Sequence, residues 1–258
     1  MRNSAVLLAL AMIPLGGNVV AQGDFVALPG GGFRSALRYE DLSGGSRVAP
    51  FALMRRPVTN GEFLAFVRDN PRWRRDRVAS VLAEERYLSQ WAGPLELGAS
   101  ARPDQPVTWV SWFAADAYCQ ARGARLPTWT EWEYAAAADE TRRDASRDRA
   151  FRERILSWYA RPSDALLPRA GLQAPNAYGI QDLHGLVWEW TADYSALLVS
   201  SDNREQDGAD RMKFCGAGAL SMDDRENYAV LMRVAMLSSL DGADATANLG
   251  FRCARDLP

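Results

Sequence analysis

Two tetrapeptides with one spacing, Thr59-Asn-Gly-Glu62 and Thr128-Trp-Thr-Glu131, constrain this chain more than any other feature. A Thr followed three residues later by Glu can close a capping box. The Thr oxygen accepts an amide of the first helical turn, and the Glu carboxylate accepts the amide of the Thr itself. The first box predicts a helix with Phe63, Phe66 and Val67 on one face, the second a helix with Trp132, Ala135 and Ala136 facing inward. Another helix is predicted from near Ser111 through Trp112, Ala115, Tyr118 and Cys119, until Gly123 ends it. Elsewhere the periodicity is brief. Residues 25–28 and 49–55 read as short strands, Pro29-Gly-Gly-Gly32 as a turn, and beyond about residue 175 short strands alternate with Gly-containing turns. The expectation is an α+β chain with two or three helices and an irregular C-terminal half.

The first residues predict export. Met1-Arg2 is a short positive start, an apolar run from Ala5 to Leu15 follows, and Val19-Val20-Ala21 ends in small residues where a signal peptidase would cut. Residues 1–21 therefore read as a signal peptide and 22–258 as one mature domain, periplasmic in a Gram-negative host. The apolar run is too short for a membrane span, and nothing later approaches one. A formal net charge of −2 supplies no basic field for nucleic acid. The arginine cluster at residues 72–77 and the charged run from Thr141 to Arg154 are both mixed in sign, so they read as solvated faces or loops.

Chemistry concentrates in Asn176-Ala-Tyr-Gly-Ile-Gln-Asp-Leu-His-Gly-Leu-Val-Trp-Glu-Trp-Thr191. Calcium takes several oxygens, from carboxylates and from backbone carbonyls. A loop that starts at Asp182, bends at Gly185 and ends at Glu189 can supply both kinds. Three cysteines in an oxidising compartment predict one disulfide and one free thiol, and spacing alone leaves the pairing open.

Four blocks together resemble the formylglycine-generating enzyme (sulfatase-modifying factor) family. They are Pro57-Val-Thr-Asn60; Pro106-Val-Thr-Trp-Val-Ser-Trp112 with Ala117-Tyr-Cys119, Arg125-Leu-Pro-Thr128 and Glu131-Trp-Glu-Tyr-Ala135; Asn176-Ala-Tyr-Gly179 with Trp188-Glu-Trp190; and Asn248-Leu-Gly-Phe-Arg-Cys253. The resemblance implies a single domain of C-type-lectin-like topology, low in regular secondary structure. It further implies a Cys119–Cys253 disulfide and one structural calcium, held by the side chains of Asp182 and Glu189 and the carbonyls of Gly185 and Val187. Asp stands at 182 where the family has Asn.

Activity is where the pattern breaks. The family's oxidases hold copper(I) on two cysteines that follow a Gly-Gly-Ser turn, a donor set suited to that soft ion. Here the matching turn is Gly216-Ala-Gly218. Ser221 falls near the first cysteine position, and Arg225 or Glu226 near the second. Copper oxidase chemistry is therefore not expected, and Cys215, Ser221 and Glu226 are left as weak catalytic candidates. The multi-histidine iron site of the ergothioneine-pathway relatives is excluded by a single histidine, His184, which reads as a surface or loop-packing residue. Two expectations follow. The chain is an accessory protein that binds and helps mature another exported protein or peptide; it resembles the exported family members without the cysteine pair that occur beside metalloenzymes such as nitrite reductases. Alternatively, it is an oxidoreductase with altered, Cys215-dependent chemistry in the same pocket.

Overall fold

The computed structural model describes residues 24–33, 35, 46–160, 166–197 and 228–257. Its central sheet joins the two ends of the domain. Strand β1 (Phe25–Leu28) pairs antiparallel with β4 (Phe51–Met54), and β4 pairs antiparallel with β7 (Ala254–Asp256), so Phe51 lies opposite both Leu28 and Asp256. All four residues of β4, the middle strand of three, are buried, so both faces of this strand are covered. A second pair, β2 (Gly31–Phe33) with β3 (Ser46–Val48), replaces part of the turn expected at residues 29–32. Two-residue strands β5 (Trp188–Glu189) and β6 (Leu249–Gly250) run parallel and carry the most informative sequence blocks side by side.

Both capping boxes close. Helix α1 (Asn60–Asp69) starts at Thr59, whose amide donates to Glu62 at 2.8 Å. Helix α3 (Trp129–Ala136) starts at Thr128, whose amide donates to Glu131 at 2.8 Å. Each glutamate also takes an arginine, Arg56 at 3.0 Å and Arg125 at 2.7 Å, so each helix start is tied to the segment before it. Helix α2 (Trp112–Ala121) begins at the Ser111 cap and ends before Gly123, whose φ of 61° lies in the left-handed region that glycine tolerates.

Two further helices depart from expectation. Helix α4 (Arg149–Tyr159) grows from the charged run and is capped by Asp148. Its buried Phe151 and Ile155 are one turn apart and form a small second core with Ala145 and Ala229. Helix α5 (Tyr228–Ser238) occupies the half expected to be irregular, which brings the described helices to five. It buries Ala229, Arg233, Val234 and Leu237. Alanine, leucine and methionine favour a helix here, but the charge at position 233 interrupts the apolar face by which such a helix is normally recognised.

The main core is aromatic. Phe63 stacks on Tyr118 with ring centroids 5.8 Å apart, and Phe66 and Phe251 meet Tyr118 edge-on at 5.4 and 5.3 Å. Beside this group the expected disulfide joins Cys119 to Cys253, with Cα atoms 5.5 Å apart across 134 positions of sequence. It pins α2 to the strand that closes the sheet. A Cys119→Ala/Cys253→Ala variant is expected to lose about 2–5 kcal/mol of stability, measured as a lower midpoint in guanidinium unfolding.

Candidate functional site

The site is organised around an arginine. Arg252 and Glu189 have fully buried side chains and meet in a two-pronged pair, Nε to Oε2 at 2.8 Å and Nη2 to Oε1 at 2.8 Å. Nη2 also donates to the Gln181 carbonyl at 2.9 Å, and Nη1 to the carbonyls of Met54 and Arg55 at 3.1 and 3.3 Å. Every nitrogen of this guanidinium is therefore used, as a charge removed from water requires. Glu189 Oε2 accepts a third bond, from Trp132 Nε1 at 2.9 Å. The strand pairing that delivers both residues needs Gly250, where a Cβ would come within 2.5 Å of the Val107 carbonyl.

The loop before Glu189 is held by its own polar side chains. Asn176 donates to the Ala135 carbonyl at 2.8 Å and accepts the amides of Tyr178 and Ile180. Asp182 has a left-handed φ of 59° and is buried, and its carboxylate accepts the amides of Gly171 and Gln173. Burial pushes the Asp182 carboxyl above its ordinary range and Glu189 pushes the same way, while Arg252 and the two amides oppose them. Gly185 turns the chain at φ 82°, with a Cβ position only 2.7 Å from the Trp158 ring.

The donor chemistry of these residues would suit a calcium ion. A buried carboxylate destabilised by desolvation is relieved by a cation. A carboxylate offers about four lone-pair directions. Three are taken at Glu189, which leaves one on Oε1. The carbonyls of Gly185 and Val187 would complete the protein's donors, a mixed set of hard oxygens suited to calcium.

His184, within this loop, has a buried side chain. Its Nε2 meets the Ala136 carbonyl at 2.9 Å, and its ring packs on Trp132, Phe151 and Trp158 at 5.6–6.0 Å. Nδ1 has no partner among the described residues. Burial lowers its pKa to about 4, and the positive charges of Arg233, Arg154 and Arg252 add to the effect. Two cavities of about 40 Å³ each are lined by His184 and Phe151. Neither approaches the ~300 Å³ at which small-molecule sites begin. The His184 side chain is buried, so the loop-packing alternative describes its place and the surface one does not.

Two more residues complete the cluster: Trp132, expected only as an inward-facing helix position, and Arg233. Trp132 joins Glu189 from below, and Arg233 of α5 lies over the Trp132 ring with Cζ 3.6 Å from the centroid. Arg233 Nη2 donates to the Glu189 carbonyl at 3.0 Å, and burial lowers the Arg233 pKa from its ordinary value. Asp193 accepts the Trp129 amide at 2.8 Å and anchors the start of α3. The three catalytic candidates Cys215, Ser221 and Glu226 lie outside the described residues.

This α+β architecture, with the Trp-Glu-Trp and Gly-Phe-Arg-Cys blocks locked together in its centre, defines the class. Residues 17–257 match the family model described as sulfatase-modifying factor enzyme 1-like domain, and the chain belongs to that family. It is 31% identical over 251 residues to the formylglycine-generating enzyme of Streptomyces coelicolor, covering 81% of this chain and 79% of that protein. It is also 31% identical over 276 residues to the inactive C-alpha-formylglycine-generating enzyme 2 of Bos taurus, covering 90% and 87%. The solved structure of PvdO from Pseudomonas aeruginosa aligns over 90% of this chain and 94% of that one, at 18% identity with a TM-score of 0.48.

Removing one partner of the central pair strands the other as a buried charge. Glu189→Gln is expected to cost about 3–5 kcal/mol. Glu189→Leu combined with Arg252→Met should cost less than the two single variants summed, as read by a double-mutant cycle in urea. For His184, the folded value of about 4 lies below the ordinary 6.5. The unfolded chain therefore binds a proton that the folded protein refuses. The contribution is fully present above about pH 6.5 and is lost as pH falls toward about 4, on the order of 3 kcal/mol. Urea midpoints measured against pH in EDTA should fall steeply over that window, and His184→Gln should flatten the fall.

Proposed function

We propose that this protein is an exported, calcium-stabilised accessory member of its family, which binds another exported protein or peptide during that partner's maturation and performs no copper oxidase chemistry. The observation that carries the proposal is the substitution of the copper-binding pair. Ser221 and Arg225 or Glu226 stand where two cysteines are required, and a hydroxyl and a charged side chain do not hold copper(I) as thiolates do. The similarity to an inactive formylglycine-generating enzyme along 90% of the chain supports the same reading. Export rests on the N-terminal pattern of residues 1–21. Among the described residues, no helix is long and apolar enough to cross a membrane.

One observation favours a second reading. The disulfide uses Cys119 and Cys253, so Cys215 is the remaining thiol of the chain. A single thiolate could serve an oxidoreductase with altered chemistry in the family's pocket.

Elemental analysis of the purified mature protein, before and after copper(I) loading, separates the two. The accessory reading expects about one calcium per chain and no retained copper, with co-purification of one exported client. Stoichiometric copper that is lost in Cys215→Ser would replace it with the oxidoreductase reading. The calcium has its own check. EDTA is expected to lower the thermal midpoint and added calcium to restore it, while Asp182→Ala should abolish the difference.

A further inference from the structure

We infer that helix α4 is a calcium-operated clamp: it docks on the loop of residues 182–189 while that loop holds the ion and is released when the ion leaves. The inference rests on the calcium site proposed for that loop. What carries it is where the helix touches. Three aromatic side chains of α4 pack on the loop. Phe151 meets the His184 ring edge-on at 6.0 Å, Trp158 lies nearly parallel to the same ring at 6.0 Å, and Tyr159 stacks on Trp188 at 4.8 Å. Gly185 is so close to Trp158 that a Cβ there would come within 2.7, 2.8 and 3.0 Å of three of its side-chain atoms.

These contacts alternate with the calcium donors along the chain. The donors are Asp182, the carbonyls of Gly185 and Val187, and Glu189; the seats for α4 are His184, Gly185 and Trp188. Gly185 serves both purposes, since its left-handed φ of 82° makes the turn and its backbone lies against the indole. Close-packed interiors transmit a displacement instead of absorbing it. A change in the loop that separates the donors therefore moves the surfaces on which Trp158 and Tyr159 rest.

Among the described residues, the rest of the helix's attachment is slight. Of its 11 residues Phe151 and Ile155 are buried, in a small core with Ala145 and Ala229 that is separate from the main one. Its ion pair to the preceding loop, Arg154 with Glu140 at 3.0 Å, is 40% and 47% exposed and adds little. An element with few buried contacts opens locally, at a free energy well below that of global unfolding. A ligand whose site is lost on opening suppresses that opening, about 100-fold at 100 times its Kd. Ala229 belongs to α5, so release of α4 also removes the cover from the start of that helix.

The test is hydrogen exchange of the full mature protein, read by mass spectrometry in EDTA and in calcium at about 100 times the Kd that calorimetry gives. Peptides covering residues 149–159 are expected to exchange about tenfold or more slowly in calcium. Residues 86–91, whose bonds run to Asn60 and Trp109, should not change. By linkage, Trp158→Ala is expected to weaken calcium binding about fivefold or more although Trp158 supplies no donor, and Trp158→Phe to restore most of the affinity. Calcium binding with unchanged exchange in α4, slowing of the same size in residues 86–91, or an unchanged Kd in a folded Trp158→Ala variant would overturn the clamp and leave the calcium site standing. No calcium binding in calorimetry would overturn both. The exchange measurement uses the wild-type chain, so it decides the matter even where a variant folds poorly.

Discussion

The buried pair between Arg252 and Glu189 is the constraint on which the rest of the structure depends. Four separate stretches of chain meet at this one guanidinium: the end of β4 through Met54 and Arg55, the loop at Gln181, strand β5 at Glu189, and the C-terminal segment that carries Arg252 itself. A buried ion pair often adds little net stability, because desolvation offsets the attraction. What it imposes is exclusivity. Any packing that separates the partners leaves an unpaired charge in the core, so alternative registers of the two-residue strands β5 and β6 are strongly disfavoured. Ladders that short contribute few hydrogen bonds of their own, and side chains do the specifying.

The same logic orders the helix starts. Each capping-box glutamate is shared between a backbone amide and an arginine just before the helix, so one carboxylate fixes the cap and the approach of the preceding segment. Polar side chains at defined points, more than long hydrogen-bonded ladders, hold this fold together. The disulfide acts alongside them, joining α2 to the strand that closes the sheet.

The functional question is set by the arithmetic of charge around Glu189. The Glu189 carboxylate serves Arg252 and the Trp132 indole, while its backbone carbonyl accepts from Arg233. Nearby, Asp182 is a buried carboxylate that desolvation disfavours.

The sequence by itself determined the helix starts at Thr59, Ser111 and Thr128, because caps are local chemistry that three or four residues can encode. It also determined the family, and through it the disulfide partners and the departure at Ser221, because these rest on specific side chains at specific spacings. Only the tertiary structure decided that α4 and α5 are helices, since their inward faces are short and, in α5, interrupted by an arginine. It alone decided that Arg233 lies on Trp132, a contact between positions about a hundred residues apart. It likewise made Arg252 the partner of Glu189, 63 positions away in sequence. Charges separated that widely in sequence become partners only when folding removes the water between them.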